Sequence, residues 1–252
     1  MVFKQATMRD IGSVWPLFMD LRYDYLLDAL IHGFHGHIMI DAHENPAVAA
    51  GNVGWTYYLG GDALSKQAQT LIESLPDNIE VIASAAWFER IKTFIPNATK
   101  KTRYAMDSST LKKDHLKSVA SSLDQRFKVV PIDKALYDTI MHDATWAQDF
   151  VINFENYHDF KENGLGYAVL KDNKIIGGAS SYARFNGGYD IEIITHEDYR
   201  RQGIAKAVGA TFILHTLKQG KIPHWDAAHK GSKRLAEHLG YQLDYTFHVL
   251  EL

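Results

Sequence analysis

The chain has 252 residues, 46% apolar and 23% charged, with a formal net charge of −3 and no cysteine. That balance describes an ordinary globular protein with a sizeable core, and it argues against bulk nucleic acid or an anionic membrane surface as a partner. Disulfides, thiolate metal sites and thiol nucleophiles are excluded. The start, Met1-Val2-Phe3-Lys4, leads into no apolar leader, and no apolar run is long enough to cross a bilayer, so a cytoplasmic protein is expected.

Ile11, Val14, Trp15, Phe18, Leu21, Tyr25 and Leu26 recur at helical spacing and predict a helix over 7–30. His32, His35, His37 and His43 follow in a glycine-broken segment. Imidazoles are good metal ligands, but glycine-flanked histidines have no fixed helix to hold them in register, so a loop leading into a strand over 37–41 is expected and no metal site. A strand-rich section covers 53–59. Asp62 is placed to cap a helix carrying Leu64, Ala68, Leu71, Ile72 and Leu75. A short strand over 79–83, a helix through Trp87, Phe88, Ile91 and Phe94, a strand over 102–106 and a helix through Leu116, Val119, Ala120 and Leu123 complete an α/β half. The composition turns polar near 108–113 and again near 121–126. The boundary is placed there, giving an N-terminal domain over 1–125 packed against a C-terminal domain over 126–252.

The second half starts with a strand over 127–132 and a helix capped by Asp133. An aromatic stretch over 144–160 reads as one helix with a loop. Its Trp146, Phe150, Phe154 and Tyr157 have the i, i+4 spacing of a core face, with an acceptor pocket as the alternative. Strands over 166–171 and 174–182 join through Asp172-Asn173, a tight-turn pair. Gly187-Gly188 turns the chain into a third antiparallel strand over 189–195. A helix with Ile204, Val208, Phe212 and Ile213 on its inner face follows, then a strand over 222–227, a helix over 232–239 closed by Gly240, and a last strand over 243–252.

The stretch from Ile191 to Ala210 reads IEIITHEDYRRQGIAKAVGA. A strand here gives way to a helix N-terminus through Arg200, Arg201, Gln202, Gly203, Ile204 and Ala205. The first amides of a helix have no partner within it and carry partial positive charge, and a glycine lets a phosphate approach the backbone. The pattern Q/R-x-x-G-x-G/A resembles the acetyl-CoA signature of the GNAT superfamily of N-acetyltransferases. More narrowly, the T-H-E-D-Y-R-R-Q-G-I-A run, P-x-W-D-A at Pro223–Ala227 and S-x-x-L-A-x-x-L-G-Y from Ser232 to Tyr241 resemble the zwittermicin-resistance-like group. The resemblance covers roughly 127–252.

It implies a mixed, mostly antiparallel, twisted sheet flanked by helices, with a V-shaped opening beside the 189–195 strand. It also implies an acetyl-CoA-dependent transfer to an amine. Backbone groups of Ile193, Ile194 and Thr195 would pair with pantetheine, and amides from Arg201 to Lys206 would hold the pyrophosphate, with Arg200 at the signature's first position. His229 stands where the family has Asn, and Ser232 matches the family's serine. Ala236 stands where many members carry a tyrosine acid. That leaves His229, Tyr241, Tyr245 or solvent for the role. Asp226, at a strand end, is placed to orient His229, bind substrate or cap the next helix.

An ammonium has no lone pair, so amine acetylation needs a proton acceptor. Asp190 and Glu192 lie two apart on one strand and share a face. Glu192 is favoured as base because it is nearer the opening. Partners expected are acetyl-CoA and a small amine, with a homodimer possible. A non-catalytic acyl-CoA sensor or a protein N-acetyltransferase is the alternative.

Overall fold

The computed structural model describes residues 2–22 and 24–252; Met1 and Tyr23, the latter inside the predicted 7–30 helix, lie outside the described residues. The fold is mixed α+β. Among the described residues no helix is long and apolar enough to cross a membrane.

The chain divides into two compact units, Met1–Arg103 with Phe247–Leu252, and Tyr104–Thr246. The boundary therefore falls well before residue 125. The reason is packing. Leu116 and Val119 of the helix over Lys113–Ser121 share one core with Ala210, Ile213 and Leu239 of the second unit. The polar turns on either side of that helix mark surface loops, not a domain junction.

The first unit holds strands β1 (Lys4–Gln5), β2 (His37–Ile40), β3 (Val48–Val53), β4 (Thr56–Gly61), β5 (Glu80–Ile82) and the start of β6 (Thr99–Asp107), with helices α1 (Ile11–Val14), α2 (Tyr25–Ile31), α3 (Lys66–Glu73) and α4 (Ala85–Phe94). The long helix predicted over 7–30 is broken. Pro16 sits in a 3-10 turn over Trp15–Phe18, where its missing N–H does no harm, and the chain re-enters a helix only at Asp24, whose side chain accepts from the Leu27 amide at 2.8 Å. The section over 53–59 is a hairpin of β3 and β4 turning at Gly54. Ser65, not Asp62, caps α3, accepting from the Ala68 amide at 3.1 Å; Asp62 instead turns the loop through the Leu64 amide.

The second unit holds α5 (Lys113–Ser121), β7 (Lys128–Pro131), α6 (Lys134–His142), α7 (Tyr157–Asn163), β8 (Gly166–Lys171), β9 (Lys174–Phe185), β10 (Gly188–Thr195), α8 (Ile204–Lys218), β11 (Ile222–Ala227), α9 (Lys230–Leu239) and most of β12 (Gln242–Glu251). Its strands run β6-β11-β10-β9-β8-β7, with β10 and β11 parallel. Asp172 and Asn173 both adopt positive φ in the β8–β9 turn, and Asp133 caps α6 through the Leu136 amide. The aromatic stretch is not one helix: a 3-10 segment over Thr145–Phe150 is followed by turns and then α7, capped by Asn156. Phe150 and Phe154 are buried, with Trp146 and Tyr157 packed against them.

Side chains alternate across the sheet. Tyr189 is buried, and Ile191 and Ile193 are half-buried, on the side of α8 with Ile204, Val208 and Phe212. Ile194 faces the 3-10 segment and α7 on the other side.

A regularity that periodicity did not reveal is that β2-β3-β4-α3-β5-α4-β6 is repeated in order as β8-β9-β10-α8-β11-α9-β12. In both units three antiparallel strands lead through a helix to a strand parallel to the third. The closing strand of each series pairs elsewhere: β6 beside β11, and β12 beside β5.

Candidate functional site

β10 and β11 pair at Gly188 with Ile222, Tyr189 with Pro223 and Asp190 with His224, and there the pairing stops. β10 continues to Thr195 with β9 alone as its partner among the described residues. The register with β9 shifts between Asp190 and Ile191, a bulge of the kind that re-aims a strand. The two parallel strands therefore part beyond Asp190. The β11-facing edge of residues 191–195 becomes an extended backbone ready to take another strand.

At the far end of β10 a single 3-10 turn, Glu197–Tyr199, leads to Arg200. Arg201 stands at φ 63° and Gly203 at φ 82°, so the chain reverses through left-handed backbone just before α8. Gly203 is the N-cap and supplies no capping side chain. The first intrahelical bond runs from the Ala207 amide to the Gly203 carbonyl, so the amides of Ile204, Ala205 and Lys206 belong to the free N-terminal turn. Arg200, Arg201, Gln202, Gly203 and Lys206 are exposed, and Ile204 is buried as the anchor of the helix. The Arg200 side chain reaches back to the Thr195 carbonyl with Nε at 3.4 Å. This arrangement of amides and cations fits a pyrophosphate.

α3 occupies the corresponding place in the first unit, but the Ser65 hydroxyl already fills its N-terminus and no arginine precedes it. The two helix starts therefore differ in kind.

Around α9, His229 is exposed and its Nδ1 accepts from the Gly231 and Ser232 amides at 3.1 Å each. It is the N-cap of the helix, which holds Nε2 as the nitrogen that donates. His229→Ala is expected to cost about 1 kcal/mol through loss of the cap, read as a lower urea midpoint, with His229→Asn restoring it. Ser232 Oγ accepts from Trp225 Nε1 at 3.0 Å, which leaves its own proton available to donate. Ala236 is buried against the core.

Tyr241 is buried, its hydroxyl donates to the Pro223 carbonyl at 2.8 Å, and burial, aided by the charge of Asp190, raises its pKa well above the usual phenol range. A phenol so held is a poor source of protons for a leaving thiolate.

The sheet face turned away from α8 carries the carboxylates. Trp225 and Ala227 point into the core with α8 and α9, so His224 and Asp226 lie on the same face as Asp190 and Glu192. Asp190 is bonded to His224, Oδ1 to Nδ1 at 2.6 Å, with side-chain exposures of 10% and 12%. Glu192 and Asp226 are half-buried. Asp149, in the 3-10 segment packed on β9 and β10, is pushed to a higher pKa by burial. His224 is the residue that sequence reasoning missed. Strand alternation placed it opposite Trp225, but its partner depends on a register spanning 34 residues.

The histidines of the first unit do not converge. His32 Nδ1 lies 3.2 Å from Asp28, His43 Nδ1 lies 3.1 Å from Asp10 and His37 Nδ1 lies 3.1 Å from Nε2 of the Gln5 side chain. Among the described residues no group of three or more His, Asp or Glu side chains is placed to hold a metal ion.

The candidate site thus combines a strand that parts from its parallel neighbour with a glycine-led helix whose N-terminus has no side-chain cap. Residues 16–250 match the family model described as GNAT acetyltransferase, and the chain belongs to that family. It is similar to a GCN5-related N-acetyltransferase-like protein from Streptococcus suis 89/1591, with a TM-score of 0.87 and 31% identity, covering 98% of this chain and 99% of that one. A GCN5-related N-acetyltransferase from Sphaerobacter thermophilus shares the fold, with a TM-score of 0.56 at 10% identity over 99% of this chain and 94% of that one. An uncharacterized N-acetyltransferase, YdfB, of Bacillus subtilis (strain 168) is 28% identical over 116 residues, a match spanning 44% of either chain.

Proposed function

We propose that the protein is an acetyl-CoA-dependent N-acetyltransferase that modifies a primary amine of a small molecule by direct attack in a ternary complex. The observation that carries this reading is the uncapped start of α8 behind Gly203, at the end of a strand whose other edge is open. Amides from Arg201 to Lys206 hold the pyrophosphate, Arg200 flanks it, and Ile193 to Thr195 pair with the pantetheine arm. His229 Nε2 and the Ser232 hydroxyl donate to the cofactor arm. Asp190 and Glu192 face the acceptor side. The likeness of the T-H-E-D-Y-R-R-Q-G-I-A run to the zwittermicin-resistance-like group supports an antibiotic-like or metabolite amine.

A thiol-release assay tests the reading, and the absence of cysteine removes any background from the protein. With acetyl-CoA and a panel of primary amines (glucosamine, spermidine, lysine, ethanolamine), release above the hydrolysis blank is expected. Buried Ala236, where a tyrosine acid is usual, favours one rival: an acyl-CoA sensor. Tight CoA binding with no release from any amine would support that rival. Calorimetry is expected to give one CoA per chain, because Ser65 closes the equivalent helix start in the first unit; two would contradict that.

A further inference from the structure

The last rung of the β10–β11 pairing is not an ordinary strand contact. Asp190 and His224 are opposed in register, both nearly buried, and joined at 2.6 Å at the point where the strands separate. Burying an imidazole and a carboxylate costs free energy that their mutual bond must offset, and apolar residues would close the same rung without that cost. A carboxylate accepts and cannot donate, so the contact requires a proton on His224 Nδ1. The neutral ring then carries its lone pair on Nε2, and the carboxylate stabilises the imidazolium formed when Nε2 takes a proton. The Phe185 ring stands edge-on to the imidazole, with centroids 6.3 Å apart.

We infer that His224, oriented by Asp190, is the proton acceptor for the incoming amine, and that Asp190 is a positioning residue. This rests on the acetyl-transfer reading and assigns a role within it. An alkylammonium gives one proton to Nε2, directly or through one water, and the free amine attacks the acetyl carbon. The nitrogen–carbon bond forms and the carbon–sulfur bond breaks, with the electron pair leaving on sulfur. The second nitrogen proton passes to the thiolate, so the products are amide, thiol and one proton released from the imidazolium to solvent.

Asp190 faces the ring across the rung, and Glu192 and Asp226 lie on the same sheet face. Asp107 continues that face on β6, Asp149 lies in the 3-10 segment packed on β10, and Tyr241 is near enough to feel Asp190.

Two measurements test the role. The first is kcat against pH for the best amine of the panel, at saturating acetyl-CoA. The wild type is expected to show an acid limb in the histidine range. His224→Gln is expected to lower kcat by about 100-fold or more and to lose that limb, with CoA affinity unchanged by calorimetry. Asp190→Asn is expected to lower kcat less and to keep CoA binding. A His224→Gln enzyme that binds CoA, retains kcat within about threefold and keeps the limb overturns the role while leaving acetyl transfer standing. A wild type that releases no thiol with any amine overturns both. The second measurement needs no turnover. Long-range proton–nitrogen correlation spectra, assigned by difference against His224→Gln, are expected to show a neutral His224 protonated at Nδ1. Protonation at Nε2 instead overturns the assignment, and it remains decisive should His224→Gln fail to bind CoA, with Asp190→Asn then supplying the assignment.

Discussion

Gly203→Val is expected to weaken CoA binding by about 100-fold or more, roughly 2.7 kcal/mol, in a chain that still folds. Gly203 holds φ 82° and ψ −4°, left-handed backbone that a β-branched residue adopts only under strain. An added Cβ would meet nothing within 4 Å, so the cost to the fold is torsional alone, about 1–2 kcal/mol. The cost to binding is larger, because the isopropyl group stands before the amides that open α8. Gly203→Asn separates the two effects: asparagine tolerates the left-handed region but still carries bulk. Circular dichroism checks the fold and calorimetry the affinity. CoA binding to Gly203→Val at wild-type strength would count heavily against the bend as the phosphate site.

Phe212→Ala is expected to cost about 3–5 kcal/mol of stability, lost transfer energy plus the cavity left behind. Phe212 is fully buried in the core that joins α8 to the sheet, among Val169, Ile176, Tyr189 and Val208, with the Tyr189 ring 6.4 Å away. The cavity would lie directly under the start of β10, so the parting of β10 from β11 loses its support along with the core. Urea denaturation reads the stability. A loss below about 1 kcal/mol would mean that the site can collapse, and that α8 is held by something other than this core.

Much of the second unit was legible in its residues because its signals are local. Asp172-Asn173 announces a tight turn and both residues adopt positive φ. Asp133 announces a cap and makes one. The strand over 222–227 alternates inward Trp225 and Ala227 with outward His224 and Asp226. Local signals also misled. The helical spacing over 7–30 hid the break at Pro16, and Asp62 outbid Ser65 as a cap although Ser65 stands immediately before α3. The i, i+4 spacing over 144–160 described a core face correctly while the backbone ran through turns. What stayed out of reach depends on register between distant strands. The Asp190–His224 rung and the division at Arg103 are of that kind.

The pairing of β12 with β5 has a consequence for biosynthesis. Leu250 aligns with Val81 and is fully buried, and the Leu252 amide donates to Ile79. A ribosome must therefore translate the entire second unit before the first can acquire its missing edge. Until then β5 offers nascent chains an unfilled berth, where a stray strand can lodge. Clipping residues 247–252 would recreate that vulnerability in the mature molecule, with aggregation nucleated far in sequence from the cut.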